Sequence, residues 1–332
     1  MIKQIFSLPF SPYISREDYE QHYLPFVLKY KPYINDIFTT IRIAPFENDA
    51  MGGSFDPDAL IFKALKVQKD TGVPVSATFN DTSVSPTEEN LALFIENFRP
   101  LYEAGIRSAT IPIFHWILSG EIKKAFPKLK IKNTVLSEVD NAQSYWLAAE
   151  AGYDVVNIDR NILRSHDVLV EIKKAQTLFE TRFGNAPKTQ ILVNEQCAPH
   201  CPVRNEHYGI NFTGEHYFNH TFSQYSCRTW EKKDIAYDFK RAVVSPFRDD
   251  VDEILENVDM FKLFGRDGQT MLKGSMALVQ SYAEGNDIIP TIGNMSAVQS
   301  RDKKDFKLWR KTIKNCRFQC WNCHVCDHLA NV

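Results

Sequence analysis

Eight short apolar segments alternate with helix-like segments along residues 1–290. That alternation predicts an α/β protein, a (β/α)8 TIM-like barrel. Two further observations refine the expectation. About 65 residues separate the seventh and eighth strand candidates, far more than the other intervals, and all seven cysteines fall after residue 196. The expected architecture is a barrel with a long loop after strand 7 and a C-terminal cysteine-rich tail. A doubly wound open sheet is the alternative topology. The expected division gives the barrel residues 1–290, and a C-terminal helix with a cluster-binding tail residues 291–332.

The strand candidates are residues 3–8, 36–41, 73–79, 108–114, 131–136, 155–158, 190–193 and 259–264. They are rich in Ile, Val and Phe, as parallel strands covered on both faces require. Helix signals lie between them. Asp56-Pro57 reads as an N-cap followed by a first-turn proline, and Gly72 ends that helix. Ser85-Pro86-Thr87-Glu88 reads as a capping box before the next one. Asn141 caps a segment that ends at Gly152, and Asp167 one that ends at Gly184. Such alternation implies right-handed crossovers and a parallel sheet. After the eighth strand come a helix near residues 270–283 and a terminal one near 303–314.

With 44% hydrophobic and 24% charged residues the chain has the composition of a soluble globular protein. A net charge of −2 gives no overall attraction to nucleic acid or acidic membranes. The stretch MIKQIFSLPFSPYISRED has no secretory apolar region, and no apolar run approaches transmembrane length. A cytoplasmic, reducing location is expected, and no membrane partner.

Cys197, Cys201 and Cys227 sit in the long loop. That loop leaves the C-terminal end of a strand, the face where barrel enzymes keep their chemistry. Cys316, Cys320, Cys323 and Cys326 lie within the last seventeen residues, with gaps of three, two and two. Disulfide frameworks spread through small secreted domains, so this grouping points to metal ligation instead. Structural zinc takes two cysteine pairs split by a longer loop. Four closely spaced thiolates can instead wrap an iron–sulfur cluster. A 4Fe–4S cluster, one or two in number, is the expected cofactor. Zinc is the alternative, with His324 and His328 as added ligands. Three of the tail cysteines also spell the radical S-adenosylmethionine pattern, but that motif belongs after the first strand of a barrel.

Polar residues directly after the strands point toward one mouth. Arg160 and Arg266 suit bidentate recognition of a carboxylate or phosphate. Asn80, His115 and Arg204 join them as candidate substrate contacts. Glu138 and Glu195 are candidate proton-transfer groups, and His207, flanked by Arg204 and Glu206, is the third. Residues 301–317 form a basic run of Arg301, Lys303, Lys304, Lys307, Arg310, Lys311, Lys314 and Arg317 against Asp302 and Asp305. It reads as a solvated helix, or as a salt-sensitive contact for RNA or an acidic partner.

Three stretches carry a family likeness. ILVNEQCAPHCPVRNEH places two cysteines straight after a strand. VDMFKLFGRDGQTMLKGSMALVQSYAEG resembles the lysine–x–x–glycine–arginine strand and following helix of the collagenase-like peptidase family. The NIDRN run around Arg160 resembles that family's arginine-bearing strand end. The resemblance implies a TIM barrel over residues 1–290. Several relatives are iron–sulfur proteins of oxygen-independent hydroxylation, acting on ubiquinone precursors or on transfer and ribosomal RNA. In them four cysteines near the barrel mouth hold a 4Fe–4S cluster, which implies that Cys197, Cys201 and Cys227 are three ligands here. Residues 240–258, where the family often supplies a cysteine, contain none. A tail cysteine completes the site, or one iron is left open for substrate or a non-cysteine ligand. The expected function is an iron–sulfur-dependent, oxygen-independent oxidoreductase or hydroxylase with an anionic or nucleotide-like substrate, served by an electron donor or partner subunit. One alternative is a peptidase-like hydrolase, which no Ser/His/Asp order or HExxH motif supports. The other is a non-enzymatic electron carrier or RNA-binding partner.

Overall fold

The computed structural model describes residues 3–331 apart from 53–55, 196, 243, 266–267, 269–270 and 289–301. Its eight parallel strands close a barrel in sequence order. They are β1 (Phe6–Pro9), β2 (Ile34–Thr40), β3 (Val75–Thr78), β4 (Ser108–Thr110), β5 (Lys130–Lys132), β6 (Val155–Asn157), β7 (Lys188–Leu192) and β8 (Met260–Lys262). β1 pairs with β8, Phe6 opposite Phe261, which closes the ring. The open-sheet alternative is thereby excluded. Every expected strand is present, and several are shorter than expected. The fourth ends at Thr110, and Phe114 already begins a helix that buries Trp116 and Ile117. Apolar continuity alone cannot separate a buried strand from a buried helix.

The capping signals place most helices well. Pro57–Thr71 begins on Asp56, whose carboxylate accepts from the Asp58 amide. Ala142–Ala151 has a full capping box between Asn141 and Ser144. Gly152 (φ 104°) and Gly184 (φ 80°) end two helices in left-handed backbone, which a side chain would oppose. Two caps differ from expectation. His166–Phe183 follows Ser165, and Asp167 sits in its first turn, where a carboxylate still suits the helix dipole. Glu88–Glu103 is capped by Thr87, not Ser85: the Thr87 hydroxyl accepts from the Asn90 amide at 3.2 Å. Thr87→Ala is therefore expected to cost about 1 kcal/mol in urea unfolding. Ser85→Ala should stay within about 0.5 kcal/mol, as surface changes usually do; a larger loss at Ser85 would restore the original assignment.

The barrel interior is unusually polar for a fold whose lumen is normally filled by branched apolar side chains. Asp36 on β2 and Lys132 on β5 form an ion pair across it, both almost fully buried. Ser76 and Ser108 share a 3.0 Å hydrogen bond between neighbouring strands. The long loop after β7 is itself built of helices, among them Arg204–Phe212, Cys227–Lys233, Tyr237–Arg241 and Arg248–Asn257.

The terminal helix Lys307–Ile313 packs onto the barrel rather than standing apart. Phe306, Trp309, Ile313 and Leu329 are buried in the same hydrophobic cluster as the barrel helices. The boundary expected at 290–291 lies outside the described residues. Much of the basic run is neutralised within the chain: Lys303 and Arg310 meet Asp249, Arg310 and Lys314 meet Asp250, and Arg317 meets Asp167. No helix among the described residues is long and apolar enough to cross a membrane.

Candidate functional site

The C-terminal ends of the strands frame a small pocket of about 80 Å³. Phe38, Asn80, Thr134, Arg160, Glu195, Tyr208 and Lys262 line it. Arg160 begins the short turn Arg160–Ile162 just after β6 and is only 1% exposed. Its guanidinium donates to Glu195 Oε1 at 2.5 Å and to the Tyr208 hydroxyl at 3.0 Å. Burial pushes the Glu195 carboxyl above its ordinary value, and Arg160 pulls against that shift. The pair is thus a buried internal anchor, with the Arg160 Nε still without a hydrogen-bond partner. Asn80 Oδ1 is likewise buried and unpartnered. Lys262 brings positive charge to the pocket, its Nζ 4.6 Å from the Phe38 ring centre.

The other expected site residues are distributed more widely. Arg204 bridges Glu138 and Asp159 at 3.6 Å each, with Glu138 mostly exposed and in left-handed backbone (φ 51°). His207 lies in an aromatic stack, 4.2 Å from the Tyr217 ring centre and 5.5 Å from that of Tyr208. Burial, helped by His216 and Arg160, lowers its pKa to about 4, so the ring is neutral at physiological pH. His115 is exposed on the helix Phe114–Leu118 and does not line the pocket. Arg266 lies outside the described residues. The strand-end reasoning missed Lys262, Tyr208 and Thr134. Lys262 was visible in the KLFGRDG run; the other two had no distinguishing signal.

The cysteines form two separate neighbourhoods. In the loop, the Cys197 thiol lies beside Glu195 and Arg160; burial first and Glu195 second push it up to about 12. Burial also raises Cys201, with Cys227 adding to the shift. In the tail, Cys316, Cys320, Cys323 and Cys326 all line one cavity of about 180 Å³. The tail is tied to the segment after β6, since the Cys316 amide donates to the Arg164 carbonyl at 3.0 Å. Arg164 reaches into the cavity and donates to Cys316 Sγ at 3.8 Å, as does the Phe318 amide at 3.4 Å. Phe318 and His324 adopt left-handed backbone (φ 53° and 54°), which turns the chain around the cavity. Trp309, 2% exposed, lies with its indole N–H beside the Cys326 thiol, outside ordinary hydrogen-bond geometry. The two neighbourhoods touch through His200 and Phe318, whose rings are 4.7 Å apart.

Among the described residues no three His, Cys, Asp or Glu side chains converge closely enough to hold a metal ion. The tail thiols instead ring a cavity. Its size, its four sulfurs, its cationic Arg164 and its buried indole donor suit a group larger than a single ion and rich in sulfur acceptors.

Comparison with known proteins bears on the fold. No family model and no curated protein matches the chain. Among solved structures it is similar to the U32 peptidase Mk0906, at 15% identity over 79% of this chain and 94% of that one, with a TM-score of 0.52. It is also similar to the O-GlcNAc hydrolase of Thermobaculum terrenum, at 10% identity over 85% of this chain and 58% of that one, with a TM-score of 0.50. At such identities the likeness is one of fold, a barrel with its helices around it.

Proposed function

We propose that the chain is an iron–sulfur protein that carries out oxygen-independent oxidation or hydroxylation at the barrel mouth. The observation that carries this reading is that all four tail cysteines line one cavity, beside a buried indole N–H and an arginine. Cys316, Cys320, Cys323 and Cys326 hold one cluster, and Cys197, Cys201 and Cys227 a second beside the mouth. When bound, such clusters supply one-electron transfer. The protein groups do the rest. Lys262 and Asn80 bind the compact anionic part of the substrate. The Glu195–Arg160–Tyr208 network fixes the wall between that pocket and Cys197. Neutral His207 stacks behind it and keeps the site dry.

The hydrolase alternative gains nothing from the geometry. Among the described residues the histidine-ring ion pairs and hydrogen bonds run to carboxylates or backbone amides, as in His166–Glu253, His324–Asp327, and His216 and His220 accepting from Phe218 and Phe222. A U32 peptidase as structural neighbour supports a shared barrel and no more.

Anaerobically purified protein is expected to contain iron and acid-labile sulfide together. Replacing Cys320 and Cys323 with Ser should remove part of both and leave the remainder bound. Protein prepared without oxygen that holds neither element would refute the proposal.

A further inference from the structure

The pocket at the strand ends offers more than a place for negative charge. Asn80 is 8% exposed, and its Oδ1 has no hydrogen-bond partner among the described residues. Arg160 is 1% exposed, and its Nε has none there either. Both residues line the pocket, together with Lys262. Buried polar atoms are normally satisfied, because desolvation without a partner is unfavourable. An orphaned acceptor and an orphaned donor on the walls of one cavity are explained together by a ligand that both donates and accepts. We propose that the pocket takes a 2-hydroxycarboxylate, its carboxylate held by Lys262 and Arg160 and its hydroxyl donating to Asn80 Oδ1, an inference that rests on the reading of this pocket as the substrate site.

Charge selects the anion. Among the lining residues two cations, Lys262 and Arg160, stand against one carboxylate, Glu195, which Arg160 already engages at 2.5 Å. Charge acts more strongly in such walls than in water. Lys262 is 7% exposed, with the Phe38 ring against its ammonium. Size limits what can follow the carboxylate. A volume of about 80 Å³ has room for about five water-sized groups at roughly 15 Å³ each, which matches the non-hydrogen atoms of glycolate, the smallest 2-hydroxycarboxylate.

The nearest competitors fit less well. A plain carboxylate leaves Asn80 Oδ1 unpaired. An α-amino acid pairs a donor with a carboxylate, but its ammonium brings a further cation toward Lys262 and Arg160, and like charges placed together are unfavourable. Much of the remaining wall is apolar, with Met51, Leu192 and Phe264. A few polar groups in such a wall fix a ligand's orientation and supply its specificity.

The test is a ligand-observed NMR titration of the full chain, purified without oxygen, with glycolate, acetate, glycine and 2-hydroxyhexanoate as probes. Glycolate is expected to bind at least about tenfold more tightly than acetate or glycine, the discrimination that one hydrogen bond in a dry site supplies. Asn80→Leu keeps the volume and removes the orphan, and should bring glycolate down to the level of acetate. Lys262→Met should remove binding of both. Binding of 2-hydroxyhexanoate as tight as that of glycolate makes the hydroxycarboxylate the head of a longer substrate; its exclusion makes the substrate a free small acid. Acetate bound by the parent as tightly as glycolate overturns the hydroxyl assignment, and so does a preference for glycolate that survives in Asn80→Leu. Binding of neither acid overturns the pocket as substrate site and this inference with it. Iron and sulfide assayed in the same preparation separate each of these results from the fate of the iron–sulfur reading.

Discussion

Arg160→Ala is expected to destabilise the folded chain by about 3–5 kcal/mol, the cost of leaving one member of a buried ion pair alone. Glu195 loses its 2.5 Å partner, and Tyr208 its 3.0 Å one, in a wall almost closed to water. Arg160→Lys should recover only part of the loss, since an ammonium cannot fork to two acceptors as the guanidinium does. Removing both charges, as in Arg160→Met with Glu195→Leu, should recover most of it, because an apolar pair of similar volume avoids the desolvation penalty. The sign of the pH dependence follows from the Glu195 shift. Burial raises this carboxyl even with Arg160 present, and without Arg160 the largest opposing influence is gone, leaving Cys197 and Arg204. The folded variant then holds its proton to higher pH than the unfolded chain does. Its stability is greatest at low pH and falls as pH rises through the elevated carboxyl pKa, so the deficit should be smaller at about pH 5 than at about pH 8. Urea midpoints at the two values measure this. An equal deficit at both would mean that Glu195 is not the charge left behind.

That wall illustrates what the sequence could and could not convey. The barrel was legible because parallel strands covered on both faces read as short apolar runs, and because Asp56, Asn141, Gly152 and Gly184 mark helix ends by local chemistry. The cysteine groups were legible by spacing. The pairing of Arg160 with Glu195 was not, although both were singled out: strand-end position says that a side chain faces the mouth, not whether it is already engaged. Asp36 and Lys132, 96 residues apart, meet only because β2 and β5 lie across the same lumen. Neither carries a local signal, and each alone would read as a surface charge. Arg164 reaches Cys316 over 152 residues. The helix Arg16–Asp18 and its continuation to Tyr30 were missed for a different reason. Ser15 caps it by accepting from the Asp18 amide, a short polar signal lost between two aromatic-rich stretches.

Trp309→Ala is expected to cost about 3–5 kcal/mol, as truncation of a buried tryptophan does, and to loosen the tail from the barrel. The ring packs at 6.1 Å from both Phe239 and Phe306, near perpendicular to each, so its loss opens a cavity where the terminal helix meets the long loop. Trp309→Phe separates packing from chemistry. A phenyl ring keeps most of those contacts, and removing a buried donor outside ordinary hydrogen-bond geometry offsets part of the lost volume. The metal-free Trp309→Phe protein should therefore stay within about 1.5 kcal/mol of the parent, as volume-conserving core changes do. The reconstituted protein should behave differently. With the indole N–H gone, Cys326 loses the one outer donor that the buried cavity wall offers it, and outer-shell donors of this kind commonly contribute about 10–100-fold to metal retention. Chelator challenge of the two reconstituted proteins, followed by the loss of visible absorbance, measures that ratio. Equal rates of loss would assign Trp309 to packing and leave Arg164 and the Phe318 amide as the donors that hold the tail sulfurs.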